Sequence, residues 1–218
     1  MTIHSALLVA AALAAAPVTS TISNRTGQEE SVVWLSLFDG ETLNGWRASE
    51  EPGTFRVHDG AIVVKGPRSH LYYIGPVQQH DFKNFELTLE VRTFPSSNSG
   101  VYFHTEWQAI GFPQKGYEVQ VNNSHKDPSR TGGLWGIQNN LKNVAADNQW
   151  FTLTIRVEGK RVVTKVGQTV VADYTEEENP VRNARVAHRR IGSGTFALQG
   201  HDPGSETHFR SIRVRVLP

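Results

Sequence analysis

The chain of 218 residues contains no cysteine and a single methionine. Without a thiol it can have no disulfide framework, thiolate metal site, iron–sulfur cluster or cysteine nucleophile. An excess of one charge is also lacking, since 22 Lys+Arg face 21 Asp+Glu for a formal net charge of +1. That balance argues against nucleic acid as the main partner, because phosphate recognition needs a clustered basic surface. Long hydrophobic runs are missing too. The apolar stretch Ala6–Ala16 falls short of the roughly 18–20 residues of a bilayer-spanning helix, so no transmembrane segment is predicted. Gly-x-Ser-x-Gly, the phosphate-binding glycine loop and His-Glu-x-x-His are all absent. The nine histidines are scattered without tight ligand spacing, and no metal site is assigned.

What is present suffices for a core: 38% hydrophobic residues, with five Trp, five Tyr and ten Phe. Ala6–Ala16 has the length and position of the apolar region of a secretory signal, with cleavage near Ala16 or Ser20, although Met1–Ser5 carries no Lys or Arg. Residues 1–20 therefore read as a signal peptide, 21–31 as a linker and 32–218 as one domain of an exported, periplasmic or secreted protein.

From Val32 onward the period is two. Phe85, Leu87, Leu89 and Val91 alternate with Glu86, Thr88, Glu90 and Arg92, the pattern of a half-buried strand. Phe151–Val157 repeats it, and Glu158-Gly159-Lys160 turns the chain into Arg161–Val166. Further strands are predicted at Phe55–His58, Ala61–Lys65, Leu71–Ile74, Val101–Thr105, Tyr117–Asn122, Gln168–Tyr174, Thr195–Gln199 and Phe209–Val216. Many short strands with turn dipeptides such as Asp39-Gly40 and Asp59-Gly60 indicate an all-β sandwich or barrel. The acidic Glu176–Glu178 and basic Arg182–Arg190 runs read as a solvated excursion between strands.

Alternation also sorts two polar strands by face. With Val101 and Phe103 inward, Tyr102 and His104 point the other way. With Tyr117, Val119 and Val121 inward, Glu118, Gln120 and Asn122 point outward. Amides and a carboxylate beside an aromatic platform suit a sugar, whose hydroxyls need hydrogen bonds and whose C–H faces pack on rings. Trp135, in the loop Ser124–Gly136, is placed to stack on such a ring, and Lys142 follows that loop. Parity sets Gln199 and His201 on one side, where His201 could meet His104 if their strands are neighbours. A divalent ion held by His104, Glu118 and water is compatible with this set, though no spacing demands one.

The segments Leu37–Trp46, Asn98–Phe103, Gly116–Val121, Thr131–Trp135, Phe196–Asp202 and Phe209–Val214 resemble, in order, the 3-keto-disaccharide hydrolase family. The resemblance implies a concanavalin A-like jelly-roll sandwich of two antiparallel sheets and a carbohydrate substrate oxidised at C3. One departure is His104, where the family is expected to carry arginine. Retaining glycosidases of this fold use two carboxylates about 5–5.5 Å apart, whereas this strand offers Glu118 followed by the amides Gln120 and Asn122. A 3-keto sugar needs only one base: the ketone acidifies the C2 proton, the C1 oxygen leaves by β-elimination, and water adds to the enone. On this reading Glu118 or His104 is the base, and His201 or Lys142 stabilises the enolate oxygen. Asn98, Tyr102, Gln120, Asn122, Trp135 and Gln199 bind substrate. The alternative is a non-catalytic carbohydrate-binding module using the same face.

Overall fold

The computed structural model describes Met1 and residues 33–218, so the signal and linker readings lie outside the described residues. Within residues 33–218 the period-two segments become strands. The first seven are β1 (Leu35–Ser36), β2 (Trp46–Ala48), β3 (Phe55–His58), β4 (Ala61–Lys65), β5 (Ser69–Tyr73), β6 (Phe85–Thr93) and β7 (Ser99–Thr105). The chain continues through β8 (Tyr117–Val121), β9 (Arg130–Leu134), β10 (Gln138–Asn140) and β11 (Phe151–Glu158). It ends with β12 (Arg161–Val166), β13 (Thr169–Thr175), β14 (Thr195–Gly200) and β15 (Glu206–Val216).

One sheet has the order β13-β12-β11-β6-β15-β4-β3 with β1 beside β15; the other has β10-β9-β8-β7-β14-β5-β2. Every pairing is antiparallel. The result is an all-β jelly-roll sandwich. Phe85, Leu87, Leu89 and Val91 of β6 and Leu153, Ile155 and Val157 of β11 share a buried core with Val101, Phe103, Tyr117, Val119, Phe196 and Leu198 of the second sheet. Among the described residues, no helix is long and apolar enough to cross a membrane. The short strand β9 falls inside the segment read as a loop, where Gly132-Gly133 weakens the strand signal.

The two sheets differ on their outer faces. Strand β6 alternates buried and half-buried residues, as a solvent-facing sheet should. Strands β7, β8 and β14 are buried on both faces, polar residues included. Their second cover comes partly from the charged run, so the expectation of a solvated excursion is corrected. Glu176 and Arg189 are buried, and Arg182 pairs with Glu176 at 2.9 Å with both side chains only 7% exposed. The same guanidinium donates to the Tyr117 and Tyr174 hydroxyls. Opposite charges from the two runs neutralise each other, which lets part of the segment leave water; Glu177 and Glu178 stay exposed.

Candidate active site

Register across the second sheet builds the site. Tyr102 opposes Glu118 on β8 and Ala197 on β14, and Ala197 opposes Tyr72 on β5. One rung away, Gly100 opposes Gln120, and Gln199 opposes His70. Directly opposed residues share a face, so two parallel polar rows run across the strands. Gly100 leaves room for the acid: a Cβ there would stand 2.6 Å from Glu118 Oε1.

Above these rows lies a pocket of about 260 Å³. Glu118, Gln120, Tyr102, Asn98, Gln199 and His201 line it, with Trp135, Asp127, the Phe112–Gln114 segment and Arg185, His188 and Arg189. The Tyr102 hydroxyl donates to Glu118 Oε2 at 2.7 Å, and Gln199 Nε2 donates to Oε1 at 3.1 Å. Arg189 contributes a longer contact to Oε2 at 3.4 Å and lies 5.3 Å from the centre of the Tyr102 ring. Burial pushes the Glu118 carboxyl above the usual carboxylate range, against the opposing pull of the Arg189 charge. Burial, then the neighbouring carboxylate, also raises the Tyr102 phenol, keeping it a neutral donor.

His201 Nδ1 sits 2.7 Å from Asp202 Oδ2, leaving Nε2 without a protein partner among the described residues. Burial acts to raise the Asp202 carboxyl, but hydrogen bonds from His201 and Ser205 hold it below the usual range. Gln120 Nε2 donates to Asn98 Oδ1 at 2.6 Å, fixing both amides. Arg185 stacks over Trp135 with its guanidinium carbon 4.6 Å from the ring centre.

Three sequence candidates lie elsewhere. His104 does not follow Tyr102 onto the pocket face. The β7–β14 register shifts at this point, and His104 adopts the left-handed conformation (φ 54°), an inserted residue that breaks the alternation. Close approach of the flanking chain at the bulge requires glycine, since a Cβ on Gly116 would lie 2.0 Å from the Phe103 carbonyl oxygen. The His104 ring packs against Phe85, accepts from the Gly192 N–H at Nδ1 and bonds the Lys83 carbonyl through Nε2. Burial lowers its pKa to about 4, so it is a neutral structural imidazole. The proposed His104–Glu118 ion site and the meeting of His104 with His201 are corrected with it. Among the described residues, no group of three or more His, Asp or Glu side chains is placed to hold a metal.

Asn122 is fully buried and pins the following loop. Its Nδ2 donates to the Asp127 and Ser129 carbonyls, and its Oδ1 accepts the His125 N–H, so no polar edge faces a ligand. Lys142 is exposed and outside the pocket lining. Sequence reasoning missed Arg189, Arg185, His188 and the Phe112–Gln114 wall. One signal could have found Arg189: a lone acid on a buried strand needs a cation, and the chain's densest basic run was otherwise unassigned.

Two antiparallel sheets with a polar, aromatic-walled pocket on one outer face define a lectin-like sandwich. A Parabacteroides distasonis protein provisionally assigned as a glycosyl hydrolase has a similar structure, with a TM-score of 0.71 at 17% identity over 85% of this chain and 94% of that one. A carbohydrate-binding module from Bacillus subtilis also aligns, with a TM-score of 0.57 at 15% identity, covering 78% of this chain and 95% of the module. Residues 33–215 match the model of the 3-keto-alpha-glucoside-1,2-lyase-like domain, and the chain belongs to that family. A 3-keto-disaccharide hydrolase of Bacteroides thetaiotaomicron is 32% identical over 84% of this chain and 78% of its own length.

Proposed function

We propose that this protein, acting outside the cytoplasm after export, cleaves 3-keto-glycosides by elimination across C1–C2 followed by addition of water. The observation that carries the reading is Glu118 itself: a buried carboxylate at the pocket, held by Tyr102, Gln199 and Arg189. Family membership and the named Bacteroides relative support the substrate class.

Glu118 takes the C2 proton, and the electron pair delocalises onto the C3 oxygen as an enolate. The raised carboxyl pKa suits this step, because a base nearer the working pH binds the transferred proton more firmly. His201 serves as the donor for the enolate oxygen in its imidazolium form, with Nδ1–H held by the Asp202 carboxylate and Nε2–H directed at the substrate. Collapse of the enolate expels the C1 oxygen, which leaves as the free alcohol or sugar with the proton from the Glu118 carboxylic acid, giving the enone and restoring the carboxylate. Water then adds at C1 while a proton returns to C2, so the net change is hydrolysis. Trp135 supplies an aromatic wall for the sugar, the Tyr102 hydroxyl holds the base, and the Gln120–Asn98 pair offers hydroxyl contacts.

Product analysis by chromatography and NMR tests the reading. With 3-keto-trehalose or a 3-keto-glucoside, the expected result is loss of the glycoside and release of the free alcohol or sugar, with the chelator EDTA present or absent. Binding of the sugar with the glycoside intact would instead identify a carbohydrate-binding module.

A further inference from the structure

The pocket ends where the polar rows do not. At about 260 Å³ it lies below the roughly 300 Å³ at which ligand pockets usually begin. Beyond Gln199 the row continues to His70 on the next strand, and beyond Ala197 the other continues to Tyr72. His70 and Tyr72 are fully buried and Gln199 is 2% exposed. Yet both His70 ring nitrogens, the Tyr72 hydroxyl and Gln199 Oε1 have no hydrogen-bond partner among the described residues. An unpaired buried polar group costs about 1–3 kcal/mol, and native proteins rarely keep several side by side without a use for them.

All of these atoms lie on the pocket face, and the segment between β7 and β8 roofs the far end of the rows. Phe112 meets the His70 ring edge-on at 5.6 Å and also lines the pocket, so it forms the partition between the open and covered parts. The Tyr72 hydroxyl faces the Gln108 backbone without completing a hydrogen bond to it. The roof is built as a unit and is anchored at its start by Trp107, which packs against Tyr72 and Tyr102. The Arg47 guanidinium carbon lies 3.6 Å from the Trp107 ring centre, and the indole N–H donates a long hydrogen bond (3.4 Å) to the Ala48 carbonyl. The Gln108 side chain binds the Ile110 and Phe112 carbonyls and the Gln114 N–H within the segment. A hydrogen bond from the Gly111 N–H to Glu50 Oε2, at 2.8 Å, ties it to the sandwich.

We propose that His70, Tyr72 and Gln199 form a second sugar subsite, which the Glu106–Lys115 roof uncovers to admit the second ring of a disaccharide. The inference rests on the 3-keto-glycoside reading for the ring held over Glu118. The second ring is recognised as a neutral polyol. His70 stays neutral, its pKa lowered by burial to about 3, and so offers one donor and one acceptor; Tyr72 and Gln199 supply matching groups for hydroxyls.

The test compares a disaccharide, 3-keto-trehalose, with methyl 3-keto-glucoside, which has no second ring. Wild-type protein should prefer the disaccharide in kcat/KM. Tyr72→Phe and His70→Phe should each reduce that preference about tenfold. His70→Phe should also keep or raise Tm, because an apolar ring replaces an unpaired polar one. If wild-type protein cleaves neither compound, the proposed activity fails, and calorimetric affinities for the same two sugars read the same preference. The subsite is overturned if the preference, read either way, is unaltered in both variants. Tyr72→Phe removes a single oxygen, so it keeps the test open should His70→Phe misfold.

Discussion

Replacing Glu118 by glutamine is expected to lower kcat/KM on a 3-keto-disaccharide by about 10³-fold, within the 10²–10⁴ range that a positioned general base contributes. Glutamine keeps the length and planarity of the side chain, and its carbonyl oxygen can accept from Tyr102 or Gln199, but it cannot take a proton. The wild-type pH profile should carry an acidic limb belonging to Glu118. Activity requires the carboxylate, so kcat/KM rises with pH through the pKa of this group. Burial holds that pKa above the usual carboxylate value, which places the limb on the high side of an ordinary glutamate. Glu118→Gln should remove the limb as well as the rate. Retention of both would contradict the assignment.

Arg189→Met should have the second-largest effect, on stability and on the same limb together. Arg189 and Glu118 are both nearly solvent-free, with side chains 3% and 7% exposed. Removing one partner of a buried pair leaves a charge without compensation and typically costs about 3–5 kcal/mol. For a domain of this size each kcal/mol corresponds to about 2–4 °C in Tm, so a fall of about 10 °C is expected in a thermal melt. The sign of the pH effect is fixed. Arg189 favours the ionised carboxyl, so its removal raises the Glu118 pKa further and shifts the acidic limb to higher pH. A loss of stability with no shift of the limb would make Arg189 a structural cation only.

These two residues also mark how far the sequence can be read. Glu118, Gln120 and Tyr102 fall on one face because β7 and β8 are regular over those positions, and a period of two then suffices. The long strands β6 and β11 are legible for the same reason. His104 is two residues beyond Tyr102 and should share its face, but the bulge turns it into the core, and nothing in Tyr-Phe-His-Thr announces an inserted residue. Asn122 has the right parity too, yet the strand ends at Val121 and its amide serves the turn. Arg189 lies 71 positions from Glu118, and Arg182–Arg190 reads as a soluble charge run because its counter-ions are brought to it only by folding. Local alternation thus carries the floor of the pocket. The walls come from loops whose placement depends on tertiary contacts, and those walls are what bury the polar face.

Elimination across C1–C2 requires the C2–H bond to break during turnover. Cleavage of a 3-keto-disaccharide in D₂O, followed by NMR or mass analysis of the keto-sugar product at early conversion, measures this directly. Elimination and hydration predict one solvent deuterium at C2 of each product molecule, or the enone with no hydrogen at C2 if the reaction stops after elimination. Product that keeps protium at C2 would mean direct displacement at C1 and would contradict the account.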